Sequence, residues 1–225
     1  MLRAIYEDFY RRIAAACVPG RTLEIGGGSG NFKAHAPEVL SSDVQPVPWL
    51  DLVADAHALP VAAACLANIV GVDVLHHLHR PRLFFAEAER VLRPGGRVVL
   101  VEPAITPVSW PVYRYLHPEP VRLGDDPLID GPADPGRDPY DANQAVPTTL
   151  FGRHLGRFHD LFPELRLVAR RRLGLVAYPL SGGFRRWSLM PAAAVGPLLR
   201  LEDALAPALG ALMAFRMFLV VERRP

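Results

Sequence analysis

The chain is predicted to be an α/β protein built on a doubly wound, mostly parallel sheet. Three observations lead there. Short apolar runs alternate with helix-period segments from residue 22 to residue 101. A run of glycines follows the first of those apolar runs directly. Nearly every predicted strand then ends on a glycine, an acid or a histidine. Alternating strands and helices make a parallel sheet with helices on both faces, and ligands of such sheets bind beyond the strands' carboxyl ends.

The elements follow in order. Residues 6–17 form an amphipathic helix stopped by Pro19-Gly20. Strand 22–25 runs into Gly26-Gly27-Gly28-Ser29-Gly30, and a helix over 31–36 ends before Pro37. Strand 39–43 closes on Asp43, and strand 50–54 is followed by Asp55. Residues 61–66 read as a helical turn or two. Strand 68–75 precedes His76, His77 and His79; helix 81–92 carries Leu83, Phe84, Ala88, Val91 and Leu92. Pro94-Gly95-Gly96 turns into strand 97–101, which ends at Glu102. From 103 to 147, ten of 45 residues are proline. So long an irregular stretch inside a domain is a lid or substrate loop. A helix over 148–161 and strands over 165–178 and 215–222 complete the set, with a helical segment in 181–214. The expectation is one domain over 1–225, with a binding core at 20–103 and lid insertions at 104–150 and 181–214.

Composition narrows the function classes. With 225 residues, half of them hydrophobic, the chain can bury a core. A net charge of +2 gives no electrostatic case for nucleic acid or an anionic membrane. Of 25 basic residues only Lys33 is a lysine, which with the many Ala and Pro residues points to a GC-rich bacterial genome. Cys17 and Cys65 read as small buried hydrophobes of a reducing compartment, and no CxxC occurs. Charged residues interrupt any leader-like run near the N-terminus, and the longest uncharged stretch near the C-terminus, 204–215, falls short of the roughly 18 residues a span needs. A cytoplasmic protein is expected.

The glycine loop discriminates among nucleotide ligands. A dinucleotide fingerprint needs glycine at its first, third and sixth positions. Counted from Gly26, the sixth position is Asn31. Nicotinamide and flavin dinucleotides are thereby disfavoured, and no Gly-Lys-Ser/Thr is present to make a P-loop.

Glu24-Ile25-Gly26-Gly27-Gly28-Ser29-Gly30 does fit the pattern acid-x-Gly-x-Gly-x-Gly. With it stand Ser42-Asp43, the segment Asp55-Ala56-His57-Ala58-Leu59-Pro60, Val74-Leu75-His76-His77-Leu78, and Leu92-Arg93-Pro94-Gly95-Gly96. In these segments the chain resembles the class I S-adenosylmethionine-dependent methyltransferases, specifically the small-molecule group with the Leu-Arg-Pro-Gly-Gly signature. The resemblance covers residues 20–103. It implies a Rossmann-like, seven-stranded sheet whose last strand is antiparallel, with S-adenosylmethionine as cofactor. It further implies that Gly26, Gly28 and Gly30 cradle the amino-acid and ribose parts. Asp43 would accept the ribose hydroxyls, and Asp55 with Ala56 would meet the adenine. Glu24 would bind the methionine amino group or support the loop, and Tyr10, with Tyr6, would either close over the cofactor from the first helix or simply pack that helix. One departure stands out: Ala67-Asn68 occupies a place where the family often has an Asp.

On the acceptor side, His77, His76 and Glu102 are the candidates for a general base, with His117 behind them. Packing under the cofactor is the competing role for the histidines. No metal site is expected, since no acid at ligand spacing accompanies His76, His77 and His79. Trp110, Tyr113, Tyr115, Phe184, Trp187, Met190, Met213 and Phe215 either line an apolar acceptor pocket or form a lid's core. Arg170–172 and Arg185-Arg186 either hold an acidic acceptor or face solvent. The reading is methyl transfer to an O, N or C nucleophile of a small molecule, with an apolar or lipid-like acceptor and peripheral membrane contact open. The alternative is a protein of this fold with non-methylating chemistry or a cofactor-binding partner subunit. Neither reading calls for nucleic acid.

Overall fold

A computed structural model describes the whole chain apart from residue 135, residues 184–187 and the side chain of Ala192. Seven strands lie in one sheet in the order β3-β2-β1-β4-β5-β7-β6. They are β1 (Thr22–Glu24), β2 (Leu40–Asp43), β3 (Leu52–Val53), β4 (Leu66–Val72), β5 (Leu92–Pro103), β6 (Leu165–Leu173) and β7 (Arg216–Arg223). β1 pairs in parallel with β2 and β4, β3 with β2, and β5 with β4. β7, the last strand, runs antiparallel to both β5 and β6. This is the Rossmann-like methyltransferase fold expected from the sequence.

Side-chain alternation sorts the strands' residues onto two faces. Ile69, Val98, Leu100, Met217 and Leu219 enter one apolar cluster, covered by α3 (Pro81–Val91), α5 (Val146–Leu150) and α6 (Leu155–Leu161). Val70, Val99, Val101, Phe218 and Val220 enter the other. That second face is covered by α1 (Leu2–Ala16), α2 (Asn31–His35), α4 (Ser109–Leu116), α7 (Ala177–Leu180) and α8 (Val195–Met213). Among the described residues, no helix is long and apolar enough to cross a membrane.

Four elements depart from expectation, each for a local reason. Residues 61–66 make no helical turn. The Arg90 guanidinium donates to the carbonyls of Leu59 and Val61, the Ala64 N–H donates to the Arg90 carbonyl, and Ala64 takes φ +51. The chain is thus pinned to the end of α3 in an irregular turn. The expected helix 148–161 is two, α5 and α6, broken near Gly152, where a Cβ would lie 2.5 Å from the Thr148 carbonyl oxygen. The strand expected over 165–178 stops at Leu173 because Gly174 turns at φ +63; α7 follows, and Glu202 accepts the N–H groups of Val176 and Ala177. Pro94-Gly95-Gly96 is not a free turn but a bulged start of β5, with pairing shifted between Leu66 and Asn68. The run Arg170–172 lies on edge strand β6, where charged side chains discourage edge-to-edge pairing.

Asn68 is fully buried and structural. Its side chain accepts from the Val18 N–H and donates to the Val18 carbonyl and Thr22 Oγ1, tying the loop after α1 to β1. Cys17 and Cys65 are free and half-buried. Burial pushes the Cys17 thiol up to about 11, against a small opposing pull from Arg97. Only the thiolate alkylates, so Cys17 should react with iodoacetamide at pH 8 about 100-fold more slowly than an unperturbed thiol. Peptide mass mapping over time measures this; labelling at the rate of a free thiol refutes the burial argument.

Candidate active site

The glycine loop is shaped by its neighbours. Gly26 and Gly30 sit in the left-handed region at φ 69 and 68, bracketing a single 3₁₀ turn, Gly27–Ser29. A Cβ on Gly26 would lie 2.9 Å from Val74, which follows β4. On Gly27 it would lie 2.0 Å from Ser41 Oγ and 2.8 Å from Glu24 Oε2. The Gly28 N–H donates to Asp43 Oδ2 at 2.8 Å, and the Gln45 N–H donates to Asp43 Oδ1 at 2.9 Å. Asp43 therefore clamps the loop to the end of β2 while staying partly exposed. The Trp49 indole lies against Gly30, 3.0 Å from where a Cβ would stand.

Glu24 is buried beneath the loop and accepts from Ser41 Oγ at 2.6 Å. Burial raises its pKa, with the Ser41 bond and Lys33 acting against that. Gly27→Ala should displace Ser41, which has no room to move, and break this bond. We expect a loss of about 1–3 kcal/mol, read as a lower Tm, together with weaker S-adenosylhomocysteine binding. Gly124→Ala is the control, since nothing lies within 4 Å of the added carbon. Equal Tm for the two variants would refute the packing argument.

Asp55 stands at the neighbouring strand end with its side chain half exposed. Its Oδ1 accepts the His57 N–H at 2.9 Å and lies 2.6 Å from His57 Nδ1. Ala56 is buried beside it. Tyr10 is buried on α1, edge-on to Phe32 at 5.4 Å and tilted against His35 at 5.7 Å. Tyr6, one turn earlier, donates to Asp73 Oδ2 at 2.6 Å. Burial and the Asp73 charge push its phenol well above the ordinary value, so it remains a donor.

The histidines after β4 divide. His76 is buried, and its Nδ1 lies 2.7 Å from Glu102 Oε2. Glu102 is fully buried; its Oε1 accepts the N–H groups of Val74 (2.9 Å) and Leu75 (2.7 Å). Glu102 thus fixes both the turn after β4 and the ring of His76. Glu119, from the Pro-rich insertion, approaches from the opposite side, its Oε2 3.3 Å from His76 Nε2 and its Oε1 3.8 Å from His77 Nε2. Burial disfavours the charged ring of His76, but the two flanking carboxylates outweigh it and hold its pKa up at about 9. His77 is partly exposed and lowered by burial and by His76. His117 lies 3.9 Å from Glu119. His79 is separate and accepts the Asp134 N–H.

The structure therefore joins Glu24, the glycines and Asp43 in one group, and His76, His77 and Glu102 in another. Three members were not found from sequence. Asp73 ends β4 at φ +57 and pairs with the buried Arg216 of β7. Glu119 was hidden in the insertion, 42 positions from His77. No local pattern marks any of them, because their partners are distant in the chain.

The insertion is knitted onto this site. Asn143 donates its N–H to the His76 carbonyl at 2.8 Å, and its side chain takes the N–H groups of Arg122 and Ala145. Between insertion and sheet edge lies a cleft of 480 Å³ lined by His76, His79, Arg80, Arg122, Asp125, Arg137 and Asp141 among others. Its wall mixes charged side chains of both signs with apolar ones such as Leu78, Ile129 and Val146. Of the aromatics read as either pocket lining or a lid's core, Tyr113 and Phe215 are core residues, whereas Trp110 and Tyr115 are exposed and stack edge-on at 5.8 Å. Phe184, Trp187 and Arg185-Arg186 lie outside the described residues.

Comparison with known proteins agrees with this fold. Residues 23–100 match the family model described as a methyltransferase domain. Over 47 residues the chain is 49% identical to a malonyl-(acyl-carrier protein) O-methyltransferase of Hahella chejuensis (strain KCTC 2396), covering 21% of this chain and 17% of that protein. The chain thus spans under a fifth of that relative's length in the match. Similar solved structures include a SAM dependent methyltransferase from Archaeoglobus fulgidus, with TM-score 0.56 and 14% identity, over 99% of this chain and 94% of that one. The geranyl diphosphate C-methyltransferase of Streptomyces coelicolor A3(2) gives TM-score 0.52 and 13% identity, over 99% and 80%. The cyclase SpnF gives 0.54 and 14%, over 97% and 80%. At such identities these likenesses concern the fold alone. Taken with that fold, the match over residues 23–100 supports a class I methyltransferase domain with S-adenosylmethionine as its cofactor.

Proposed function

We propose that this chain transfers the methyl group of S-adenosylmethionine to an oxygen, nitrogen or carbon nucleophile of a small molecule. The observation that carries this is the clamp of Asp43 on the Gly28 N–H, inside the segment that matches the methyltransferase domain. It presents a carboxylate and a close-approach loop to one ligand. In this reading Asp43 accepts the ribose hydroxyls, Asp55 and the Ala56 backbone meet the adenine, and Gly26, Gly28 and Gly30 let the cofactor approach the backbone. Glu24 supports the loop through Ser41. Tyr10, with Tyr6, closes the α1 side.

Transfer from a sulfonium needs mainly an aligned nucleophile. His76, held by Glu102, and His77 form the acceptor side, His77 taking up a proton and His76 holding the acceptor in place. The charged groups lining the 480 Å³ cleft suit a polar acceptor better than a wholly lipid-like one, and three arginines set against three aspartates favour neither sign of charge. Calorimetry with S-adenosylhomocysteine tests the cofactor assignment, and absence of heat at millimolar ligand refutes it. Transfer of label from S-adenosylmethionine to a panel of hydroxylated, amino and carbon acids tests the reaction. Cofactor binding without transfer to any of them would favour the non-methylating alternative.

A further inference from the structure

His76, His77 and Glu119 are arranged as metal ligands. Their ligand atoms all lie within 4.8 Å of one another. His76 Nε2 to Glu119 Oε2 is 3.3 Å, and His77 Nε2 to Glu119 Oε1 is 3.8 Å. Ligands about 2.0–2.1 Å from a tetrahedral ion stand about 3.3–3.4 Å apart; the His76 separation matches this, and the His77 separation, to the other Glu119 oxygen, is a few tenths of an ångström wider. We infer that His76, His77 and Glu119 form a binding site for one divalent transition-metal ion, with a coordination position left open toward solvent.

The surroundings supply what such a site needs. A metal-binding histidine characteristically gives its other ring N–H to a carboxylate, which fixes the tautomer and aims the free nitrogen at the ion. Glu102 takes that place at His76 Nδ1, 2.7 Å away and fully buried. Held so, Nε2 faces a Glu119 oxygen at 3.3 Å, and an ion bound there takes the place of the proton the two otherwise share. Glu119 is steadied by the Gln144 side-chain amide, and the insertion that carries Gln144 is tied to the His76 carbonyl through the Asn143 N–H. Glu119 and His77 keep 26% and 22% of their side chains exposed, which leaves an entry path. Two imidazoles and one carboxylate suit zinc, cobalt, nickel or ferrous ions rather than magnesium. Three protein ligands are the number found where a fourth position is kept for water or substrate. On the methyl-transfer reading, that position would hold an oxygen of the acceptor. Ion binding itself does not depend on that reading.

The test uses the full chain, stripped of metal with a chelator and titrated with Co²⁺, whose visible absorption reports ordered coordination. One Co²⁺ per chain is expected, displaced by Zn²⁺ and not by Mg²⁺. Glu119→Gln and His77→Ala should each weaken Co²⁺ binding by at least about 10-fold, and so should Glu102→Gln, acting through His76. Circular dichroism verifies that each variant is folded; Glu119→Gln and His77→Ala, at partly exposed positions, serve if Glu102→Gln is not. No Co²⁺ spectrum in the folded chain, unchanged binding in folded Glu119→Gln and His77→Ala, or ready displacement by Mg²⁺ would each overturn the site. S-adenosylhomocysteine binding, measured in parallel, reports separately on the cofactor reading.

Discussion

Asp43→Ala is expected to weaken S-adenosylhomocysteine binding by about 100-fold or more. Two losses combine. A carboxylate accepting both ribose hydroxyls makes charge-assisted bonds, each contributing about 1.5–3 kcal/mol. The same side chain also takes the Gly28 and Gln45 N–H groups, so its removal releases the loop that the cofactor must approach. About 3 kcal/mol in total corresponds to more than 100-fold in Kd. Asp43→Asn should fall between, because its carbonyl oxygen can keep one of these bonds while its NH₂ cannot accept the other. Calorimetric titration of the three proteins provides the ranking. Wild-type affinity in Asp43→Ala would remove the ribose contact from the proposed mechanism.

Arg216→Met is expected to give the largest stability loss, about 3–5 kcal/mol, because it removes a buried, ring-stacked guanidinium and leaves the partly exposed Asp73 with Tyr6 but without its counter-charge. Arg216 is 2% exposed and opens β7, paired across to Pro103 of β5 and Leu173 of β6. Its guanidinium reaches Asp73 beyond β4 and lies over the Phe9 ring at 5.5 Å and the Tyr178 ring at 5.0 Å. One side chain thereby joins α1, α7 and three strand ends. For a chain of this size each kcal/mol moves Tm by about 2–4 °C, so a fall of about 6–20 °C should be seen by calorimetry. Adding Asp73→Asn should recover part of it, since the remaining group is then neutral. Arg3→Ala is the contrast: the Arg3–Glu7 pair is exposed, and its loss should stay within about 0.5 kcal/mol. If Arg216→Met melted with Arg3→Ala, the buried pair would have no structural weight.

Much of the cofactor half was legible because its signals are local. β1, the glycine loop and α2 are contiguous, so glycine spacing and apolar runs report them directly. Asp43 and Asp55 could be placed because an acid closing a short apolar run falls at a strand end. The unsuccessful readings share a cause. A turn at 61–66 is decided by Arg90, far along the chain, and the end of β6 by one glycine's backbone angle. The aromatics of the insertion and of residues 190–215 looked alike in sequence, yet Tyr113 and Phe215 are core while Trp110 and Tyr115 are surface.

The sequence by itself determined most strands and the glycine loop, because hydrophobic period and turn chemistry act over a few residues, whereas the kind of cofactor came from the resemblance of those segments to a known family. Tertiary structure alone decided which carboxylates the histidines meet. Glu102 lies 26 positions beyond His76 and Glu119 lies 42 beyond His77. Only folding the Pro-rich insertion back onto the sheet edge brings both carboxylates to one imidazole. The pairing of Asp73 with Arg216, 143 residues apart, was likewise invisible until β7 inserted between β5 and β6. Charges meet through space, and their spacing along the chain carries no record of the meeting.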